Sequence, residues 1–441
     1  MKRTLISMLF ALSGTVATLA ADAGITNRVQ VTAEYISALS GQMRTNHPAL
    51  RAANARAAAA QASIGTVRTW EDPTAMIGGM AAEREMRAED GDVIYGVEQK
   101  LPLFGKPRLA RRAAEAEYDI EVANAEYQFQ LLRAELAKAL FRAAFADRVV
   151  AIGEQDLAWL DVMAQTAEAK YRAGTATLPE LVQIMNERSK RATELQTSRD
   201  ELEHEHVALN RLLNREPLSP WPRLELPPLA NPVAYNERLL QLALRFEPRL
   251  TVLEHQIRQS EAARDVARRQ RLPDVSIGLE GRSYSSDASF RQGMLTLSMN
   301  LPWGNARKYR NELRREEARL EAVRHELDDY RAALREEVHL LVVRIDAGRR
   351  NALLYRDEIL PRTESALESV RAGWEAGRNT VRDLLDARRM VLEAQLGLAR
   401  SISEQYQAMS ELVLCCGLGD LGALEMINAQ PESEPSPDSG H

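Results

Sequence analysis

Two carboxylates near the end of the chain have a spacing that suits charge chemistry. Asp383 and Asp386 lie three residues apart, directly after the segment 376–380, which contains Gly377. Residues at i and i+3 of a helix share one face, so both carboxylates point the same way. On its own the pair is typical of a helix N-terminus, where negative charge interacts favourably with the helix dipole.

Metal binding is suggested by three Glu-x-x-His spacings, Glu201 with His204, Glu203 with His206, and Glu336 with His339. Paired copies of this spacing on facing helices hold metal in di-iron bundles, so an exported metal-binding helical bundle is one hypothesis. His204 and His206 cannot face one site, however. The dense charge of residues 201–206 favours a solvated helix face.

Motifs for enzymatic chemistry are missing from the sequence. Residues 417–422 spell the dinucleotide fingerprint, but no strand precedes them, so we interpret them as a helix C-terminus with flexible glycines. Nucleophile elbows, phosphate loops and zinc-protease motifs do not occur. Cys415 and Cys416 are adjacent on a predicted helix, where they cannot form an unstrained disulfide and serve as small apolar residues. We expect no enzyme activity, no cofactor and no resident metal.

Composition and charge narrow the class of protein. Of 441 residues, 45% are hydrophobic, 27% charged and 5% aromatic, which favours extended helix surface over a large globular core. Lys and Arg number 57 and Asp and Glu 63, a net charge of -6 with interleaved signs, so nucleic acid is not an expected partner.

The N-terminus indicates export. Residues 1–23 combine Lys2 and Arg3, an apolar run and the ending Ala21-Asp22-Ala23, which together predict a secretory signal peptide. After it, no run of 18 apolar residues occurs, so no transmembrane helix is expected. Any membrane contact must be made by strands or by association.

Strands are predicted where apolar residues fall on every second position. Residues 274–282 and 292–301 show this alternation, and 74–82 and 92–101 form a weaker first copy. Each segment has about ten residues, the length that a tilted strand needs to cross a bilayer. Two ordinary soluble hairpins are the alternative.

Long helices and glycine turns complete a series of elements that occurs twice. Pro48 and Pro248 open the first helix of each copy, and a helix of about 65 residues follows the first hairpin, from 108 to 172. Turns at 173–178 and 373–381 lead into returning helices. The sequence thus divides into a first repeat, a proline-rich connector, a second repeat and a disordered tail, at 24–216, 217–233, 234–420 and 421–441.

This order of elements resembles the TolC family of bacterial outer-membrane efflux proteins. The local matches are the Leu-Pro-aromatic-Gly junctions at 101–105 and 301–304 and the turn segments 171–181 and 374–387. The resemblance implies an α+β membrane protein, a homotrimer in which four strands per chain close a β-barrel in outer-membrane lipid. A long α-helical coiled-coil barrel would continue it through the periplasm. It also implies an exit duct for efflux or secretion that docks a periplasmic adaptor and an inner-membrane pump.

Physical reasoning independently requires an oligomer if the strands cross a membrane. Four strands cannot close a barrel around a channel, and open strand edges are not tolerated in hydrocarbon. A soluble periplasmic helical scaffold and the metal-binding bundle remain the alternatives.

The resemblance also implies roles for the turns. Asp383 and Asp386 match the paired aspartates of the family's constriction, and in a trimer they would form carboxylate rings that attract cations. Arg378, Arg382 or Arg388 of neighbouring chains would hold these rings closed. The expected adaptor contacts are the turn residues Gly174, Thr175, Leu178, Gly377, Thr380 and Val381; both glycines are predicted to need a positive φ.

Overall fold

The computed structural model describes residues 28–67, 69–79, 93–284 and 288–424. The expected signal peptide, the loop of the first hairpin and nearly all of the expected tail lie outside these residues. Within them, no helix is long and apolar enough to span a membrane.

Nine α-helices and six strands follow one another along the described chain, and residues 421–424 add a short helical segment. The helices are α1 (Ala33–Asn46), α2 (Pro48–Thr66), α3 (Lys106–Arg172), α4 (Leu178–Leu213), α5 (Glu237–Phe246), α6 (Pro248–Gln270), α7 (Ala306–Leu353), α8 (Leu360–Glu375) and α9 (Val381–Cys415). The strands are β1 (Arg28–Gln30), β2 (Thr74–Gly79), β3 (Val93–Lys100), β4 (Arg223–Glu225), β5 (Val275–Ser283) and β6 (Phe290–Met299).

Proline begins several helices because it needs no backbone N–H in the first turn and its φ is already helical. Pro48 and Pro248 occupy this position in α2 and α6, where the side chains of His47 and Glu247 accept hydrogen bonds from the first-turn amides. Pro361 lies one residue inside α8. The six residues before α8, Leu354–Ile359, form a π-helical segment that carries the chain from α7 into α8 without a sharp break.

The helix α3 runs for 67 residues, about 100 Å at 1.5 Å per residue. It carries the chain from the sheet to the first turn, and α4 returns along it. Gly153 allows the two helices to approach, since a Cβ there would lie 3.0 Å from the Leu195 side chain. In the second half of the chain, α7 and α8 lead from the sheet to the second turn, and α9 packs back against both.

The sheet has the order β2-β3-β5-β6, with every neighbouring pair antiparallel. Its register places Ala75, Val97, Leu279 and Leu295 in one row. Ile77 and Leu295 on this apolar face are 87% and 71% exposed. The opposite face carries polar groups, including Glu98, whose Oε1 accepts a hydrogen bond from Ser298 Oγ at 2.9 Å. The sheet therefore has one apolar and one polar face.

Within the described residues, β2 and β6 each have one strand neighbour, so both outer edges of the sheet are open. Tight packing fixes the register of the inner strands β3 and β5. The Tyr95 ring covers Gly281, where a Cβ would lie 2.7 Å from the ring. An aromatic side chain over a glycine is a known way of stabilising strand pairing.

The main apolar core lies between the two ends of the molecule, where the helices of both halves meet the parallel pair β1-β4. The chain connecting the two halves is anchored here. Asn210 is fully buried; its side chain donates to the carbonyls of Pro217 and Ser219 and accepts from Trp221 Nε1, each at 2.8 to 2.9 Å.

The structure confirms one sequence prediction about the C-terminal region in part and contradicts another. Residues 417–422 do follow the end of α9, but Gly417 is held in place, because it has φ +60° and a Cβ there would lie 2.0 Å from the Phe246 carbonyl oxygen. The tail does not begin at 421, because residues 421–424 are helical and the side chains of Leu421 and Leu424 are buried in the core. Cys415 and Cys416 are buried free thiols, and desolvation raises the pKa of Cys416 to about 12.

Candidate functional site at the paired helical turns

Two turns of the same construction end the long helices. Gly174 and Gly377 have φ values of +72° and +73°, the positive φ that the sequence predicted. Their N–H groups donate at 3.0 Å to the carbonyls of Tyr171 and Trp374, and the N–H of the following residue donates to a carbonyl five residues earlier. This is the Schellman arrangement, which closes a helix end and requires a left-handed residue.

A capping box starts the returning helix after each turn. In the second turn, Thr380 Oγ1 accepts from the Asp383 N–H at 3.2 Å, and Asp383 Oδ2 accepts from the Thr380 N–H at 3.0 Å. In the first turn, Glu180 Oε2 accepts from the Thr177 N–H at 2.9 Å. Each box satisfies amides that the helix itself leaves unpaired.

Asp383 therefore serves as a helix cap within its own chain. Hydrogen bonds from the Thr380 amide, and then from its hydroxyl at 2.8 Å, hold the pKa of Asp383 below its usual value. Its charge is consequently kept at neutral pH. The carboxylate is exposed at the surface of the turn.

Asp386 lies one helical turn further along α9, on the same exposed side as Asp383. Its oxygens are 3.8 Å from Arg382 Nε and 3.7 Å from an Arg389 guanidinium nitrogen. Exposed pairs at such distances are weak, typically below about 1 kcal/mol. Asp386 thus keeps a carboxylate that a neighbouring chain can approach.

Arg388 does not have the position that the sequence predicted. Its Nε donates to Asp156 Oδ1 of the same chain at 2.8 Å, so it is not free to reach the carboxylates of a neighbouring chain. Arg191 Nε lies 3.5 Å from the other oxygen of Asp156. Asp156 is 2% exposed, and one arginine from each returning helix meets it. The sequence analysis did not single out Asp156. Its spacing could have revealed it, because an acidic residue four positions from both Ile152 and Leu160 lies on the apolar side of the helix.

Lys170 joins the two turns. Its Nζ donates to the carbonyls of Trp374 and Glu375 at 2.7 and 3.1 Å, and it lies 4.3 Å from the centre of the Trp374 ring. A cation at the C-terminal end of a helix interacts favourably with the helix dipole and the unpaired carbonyls. The last turn of α3 thus stabilises the end of α8.

An apolar cluster lies beneath both turns and draws on four helices. Its members are Leu160, Met163, Ala167, Ile184, Trp374, Val381, Leu384 and Leu385. Val381 is 2% exposed, so its side chain packs inside the cluster and cannot contact an adaptor as the sequence suggested. Leu178, at the equivalent helix start, is 54% exposed. Gly174, Thr175, Gly377 and Thr380 are also exposed.

The histidines of the Glu-x-x-His spacings do not converge. His204 and His339 are exposed, but His206 is not on a solvated face, because its ring stacks on Trp221 with centroids 6.3 Å apart. Burial lowers the pKa of His206, and its Nε2 has no hydrogen-bond partner among the residues that the structure describes. In the part of the chain that the structure describes, no cluster of three or more His, Cys, Asp or Glu could hold a metal ion.

The fold is that of solved outer-membrane channels. OprN has a TM-score of 0.75 and 20% identity over 88% of this chain and 90% of its own. CusC has a TM-score of 0.76 and 18% identity over 91% and 96%, and VceC from Vibrio cholerae 0.73 and 18% over 88% and 97%. At these identities the likeness shows the fold.

The chain belongs to the outer membrane efflux protein family, whose sequence profile matches residues 39–215 and 239–418. The cobalt-zinc-cadmium resistance protein CzcC of Cupriavidus metallidurans is 24% identical over 177 residues, which are 40% of this chain and 41% of that protein. Family and fold confirm the resemblance to TolC-type proteins and place the protein in the outer membrane, extending into the periplasm. They count against a soluble periplasmic scaffold.

Proposed function

We propose that the protein is a passive exit duct, a homotrimer whose twelve strands close one barrel in the outer membrane. The open edges of β2 and β6, on a sheet with an exposed apolar face, carry this proposal. Backbone groups at an open edge have no partners in hydrocarbon, whereas pairing β6 of one chain with β2 of the next satisfies them. The polar face, with Glu98 and Glu280, then lines the channel.

The helices form the periplasmic tube in this proposal. They reach about 100 Å from the sheet to the turns. Val182 and Met185 are exposed apolar residues of α4, at a spacing that places them on one face. Isolated long helices with such an apolar face require a neighbour, and the helices of adjacent chains supply it.

The turns dock a periplasmic adaptor, which connects the duct to an inner-membrane pump. Exposed Gly174, Thr175, Leu178, Gly377 and Thr380 form the contact surface. The rigid Schellman turns support this role because they present the same backbone in both halves of the chain. Energy comes from the pump, so the duct needs no catalytic residue of its own.

Asp383 and Asp386 form the constriction of the duct. Their exposure on one side of α9 and the lowered pKa of Asp383 support this assignment, because both properties keep charge on an accessible surface. Three copies around an axis give two carboxylate rings, which attract cations and repel anions.

Divalent metal cations are the cargo we propose, on the basis of the partial match to CzcC, a cobalt-zinc-cadmium resistance protein. Deletion of the gene is then expected to lower the tolerated concentrations of cobalt, zinc and cadmium salts. Unchanged metal tolerance, with lost tolerance of organic dyes or antibiotics, would assign a different cargo to the same duct.

The duct itself is tested by its assembly and conductance. We expect heat-sensitive trimers in outer-membrane fractions and cation-preferring channels when the purified protein is added to planar bilayers. A monomer that extracts without detergent and gives no conductance would contradict the proposal.

A further inference from the structure

Cations are concentrated at the helix ends next to the sheet, on a surface that we call the junction collar. Residues 106–112 of α3 contain four cations and no acid, and residues 306–315 of α7 contain five cations and one acid. Three arginines lie at the end of α6. The junction collar consists of Lys106, Arg108, Arg111, Arg112, Arg268, Arg269, Arg271, Arg307, Lys308, Arg310, Arg314 and Arg315.

Helix stability does not account for the cations of α3 and α7 in the collar. The N-terminus of a helix carries the positive end of its dipole, where acidic side chains are favourable and basic ones are not. Neither α3 nor α7 has an acidic residue in its first turn. The cations at the start of α3 and α7 therefore oppose the local preference of their helices, whereas those at the end of α6 agree with it.

Only some of the collar is neutralised within the chain. Lys106 Nζ lies 2.8 Å from an oxygen of Asp274, and Lys308 lies 3.9 Å from Glu312. In contrast, Arg307, Arg310 and Arg314 are exposed and make no ion pair with any residue that the structure describes.

The three unpaired arginines of α7 share one face. They are spaced i, i+3 and i+7, which places them together on a helix. The face of α7 that is buried within the chain includes Glu316 and Leu320, on the opposite side. The arginines therefore point away from the chain's own helices.

The helix of the next subunit that lies beside α7 does not supply the missing charge. This step rests on the proposed trimer, in which β6 of one chain pairs with β2 of the next and α7 consequently lies beside the next chain's α2. Residues 48–66, which form α2, contain no Asp or Glu and two arginines. The neighbouring α2 therefore offers these arginines no carboxylate, which leaves their outward face open to an external anion.

The collar begins where the membrane should end. Exposed aromatic residues mark that boundary: Phe104 and Trp303 follow the last strand residues, and Trp303 is 61% exposed. Aromatic side chains of this kind concentrate at membrane interfaces. From Arg307 to Arg314 is seven residues, about 10 Å along the helix, so the three arginines extend across a headgroup layer of about 5 to 7 Å.

We propose that the junction collar binds the anionic phospholipid headgroups of the periplasmic leaflet. Guanidinium groups form bidentate hydrogen bonds with phosphate, so arginine suits this partner. A cation near an anionic membrane surface improves binding by about fivefold, so three arginines on each chain give a clear lipid preference. The collar would fix the depth at which the barrel lies in the membrane.

The test uses full-length trimers in liposomes that contain spin-labelled phosphatidylglycerol or spin-labelled phosphatidylcholine. We expect the wild type to prefer phosphatidylglycerol and to lose that preference in high salt. The triple variant Arg307→Gln, Arg310→Gln, Arg314→Gln should reduce the preference at least threefold, whereas the same positions changed to Lys should reduce it less, because lysine keeps the charge without the bidentate geometry. Arg335→Gln with Arg400→Gln, on exposed arginines far from the sheet, is the matched control.

Several outcomes overturn the proposal. Equal preference in the wild type and the glutamine variant would do so, as would a glutamine variant that changes only the cation-to-anion permeability ratio, because the arginines would then face the channel. Binding to cell-wall sacculi that the variant loses, without any lipid preference in the wild type, would assign the surface to peptidoglycan. Conductance of the wild type in phosphatidylcholine bilayers shows separately whether the duct forms.

Discussion

Asp156 on α3 and Arg388 on α9 form a nearly buried ion pair, with Nε and Oδ1 2.8 Å apart. The pair joins residues that are 232 positions apart in the sequence. It lies 16 residues before the end of α3, about 24 Å from the first turn. The pair therefore fixes the returning helix that carries Asp383 and Asp386 against the longest helix of the molecule.

Breaking this pair is expected to destabilise the protein strongly. Asp156→Ala leaves Arg388 buried without its partner, at a cost of about 3 to 5 kcal/mol in the free energy of unfolding. The double variant Asp156→Leu, Arg388→Met should lose much less, since no charge remains unpaired. Urea unfolding at a fixed protein concentration, followed by circular dichroism, measures both. Equal losses in the two variants would show that the ion pair does not decide stability here.

The proposed constriction gives a conductance prediction. Asp383→Ala with Asp386→Ala should raise single-channel conductance in planar bilayers and weaken block by multivalent cations, because six carboxylates leave the axis of the trimer. Glu180→Ala is the matched control, since it removes the equivalent capping bond from the first turn only. If Glu180→Ala changes conductance and block as much as the double variant does, the cause is the lost helix cap and not the lost carboxylate rings.

The link between the turns is tested at Lys170. Lys170→Met removes two hydrogen bonds to the end of α8 and the contact with the Trp374 ring. We expect faster amide exchange at the second turn, by about tenfold, corresponding to roughly 1 to 2 kcal/mol for the bonds of a charged donor. Lys190→Met, whose only ion pair among the described residues is an exposed one at 3.8 Å, should leave exchange at the turn unchanged. Identical exchange rates in Lys170→Met and the wild type would show that Lys170 does not stabilise the second turn.

Helix packing behind the turns depends on Gly397. A Cβ at this position of α9 would lie 2.5 Å from the Tyr355 ring in the π-helical segment. Gly397→Ala should therefore lower the free energy of unfolding by about 1 to 3 kcal/mol, the usual cost of overpacking. At Gly41 no atom lies within 4 Å, so Gly41→Ala should be neutral or slightly stabilising. Thermal unfolding measures the stability of both variants. A Gly397→Ala protein as stable as the wild type would contradict the close packing of Gly397 against Tyr355.

Stability should depend on pH through His206. Burial holds the pKa of His206 below its ordinary 6.5, so the unfolded chain takes up a proton at a higher pH than the folded one. Stability from this residue is thus present above about pH 6.5 and falls as the pH drops below it. His206→Phe, which keeps a ring against Trp221, should flatten the thermal-unfolding profile between about pH 7 and pH 5. His204→Phe, at an exposed position, should follow the wild-type profile.

The sequence predicted the local features well because short-range chemistry determines them. Proline fixed the starts of α2 and α6, glycine fixed the positive φ of both turns, and period-two alternation located β5 and β6. The family resemblance added the class of protein, which the sequence profile and the fold confirm. The gate, the adaptor contacts and the trimer stay predictions.

The errors lie where distant segments meet. Val381 and His206 were taken as surface residues because each lies in a polar or turn-like stretch, yet other helices or the connector cover them. The same holds for Leu421 and Leu424, which followed glycines and preceded a polar tail. Burial depends on what packs from elsewhere in the chain, and local composition does not carry that information.

By itself the sequence determined the paired turns, with their glycines and capping acids, since the hydrogen bonds that form them join residues fewer than ten positions apart. Only the tertiary structure decided that Lys170 reaches across to Trp374 and that Arg388 binds Asp156, because these partners are more than 200 residues apart. The physical reason is that helical spacing determines which side chains meet within one helix or turn. Which side chains meet between two helices depends on how the long helices pack against each other, and the local sequence does not specify this.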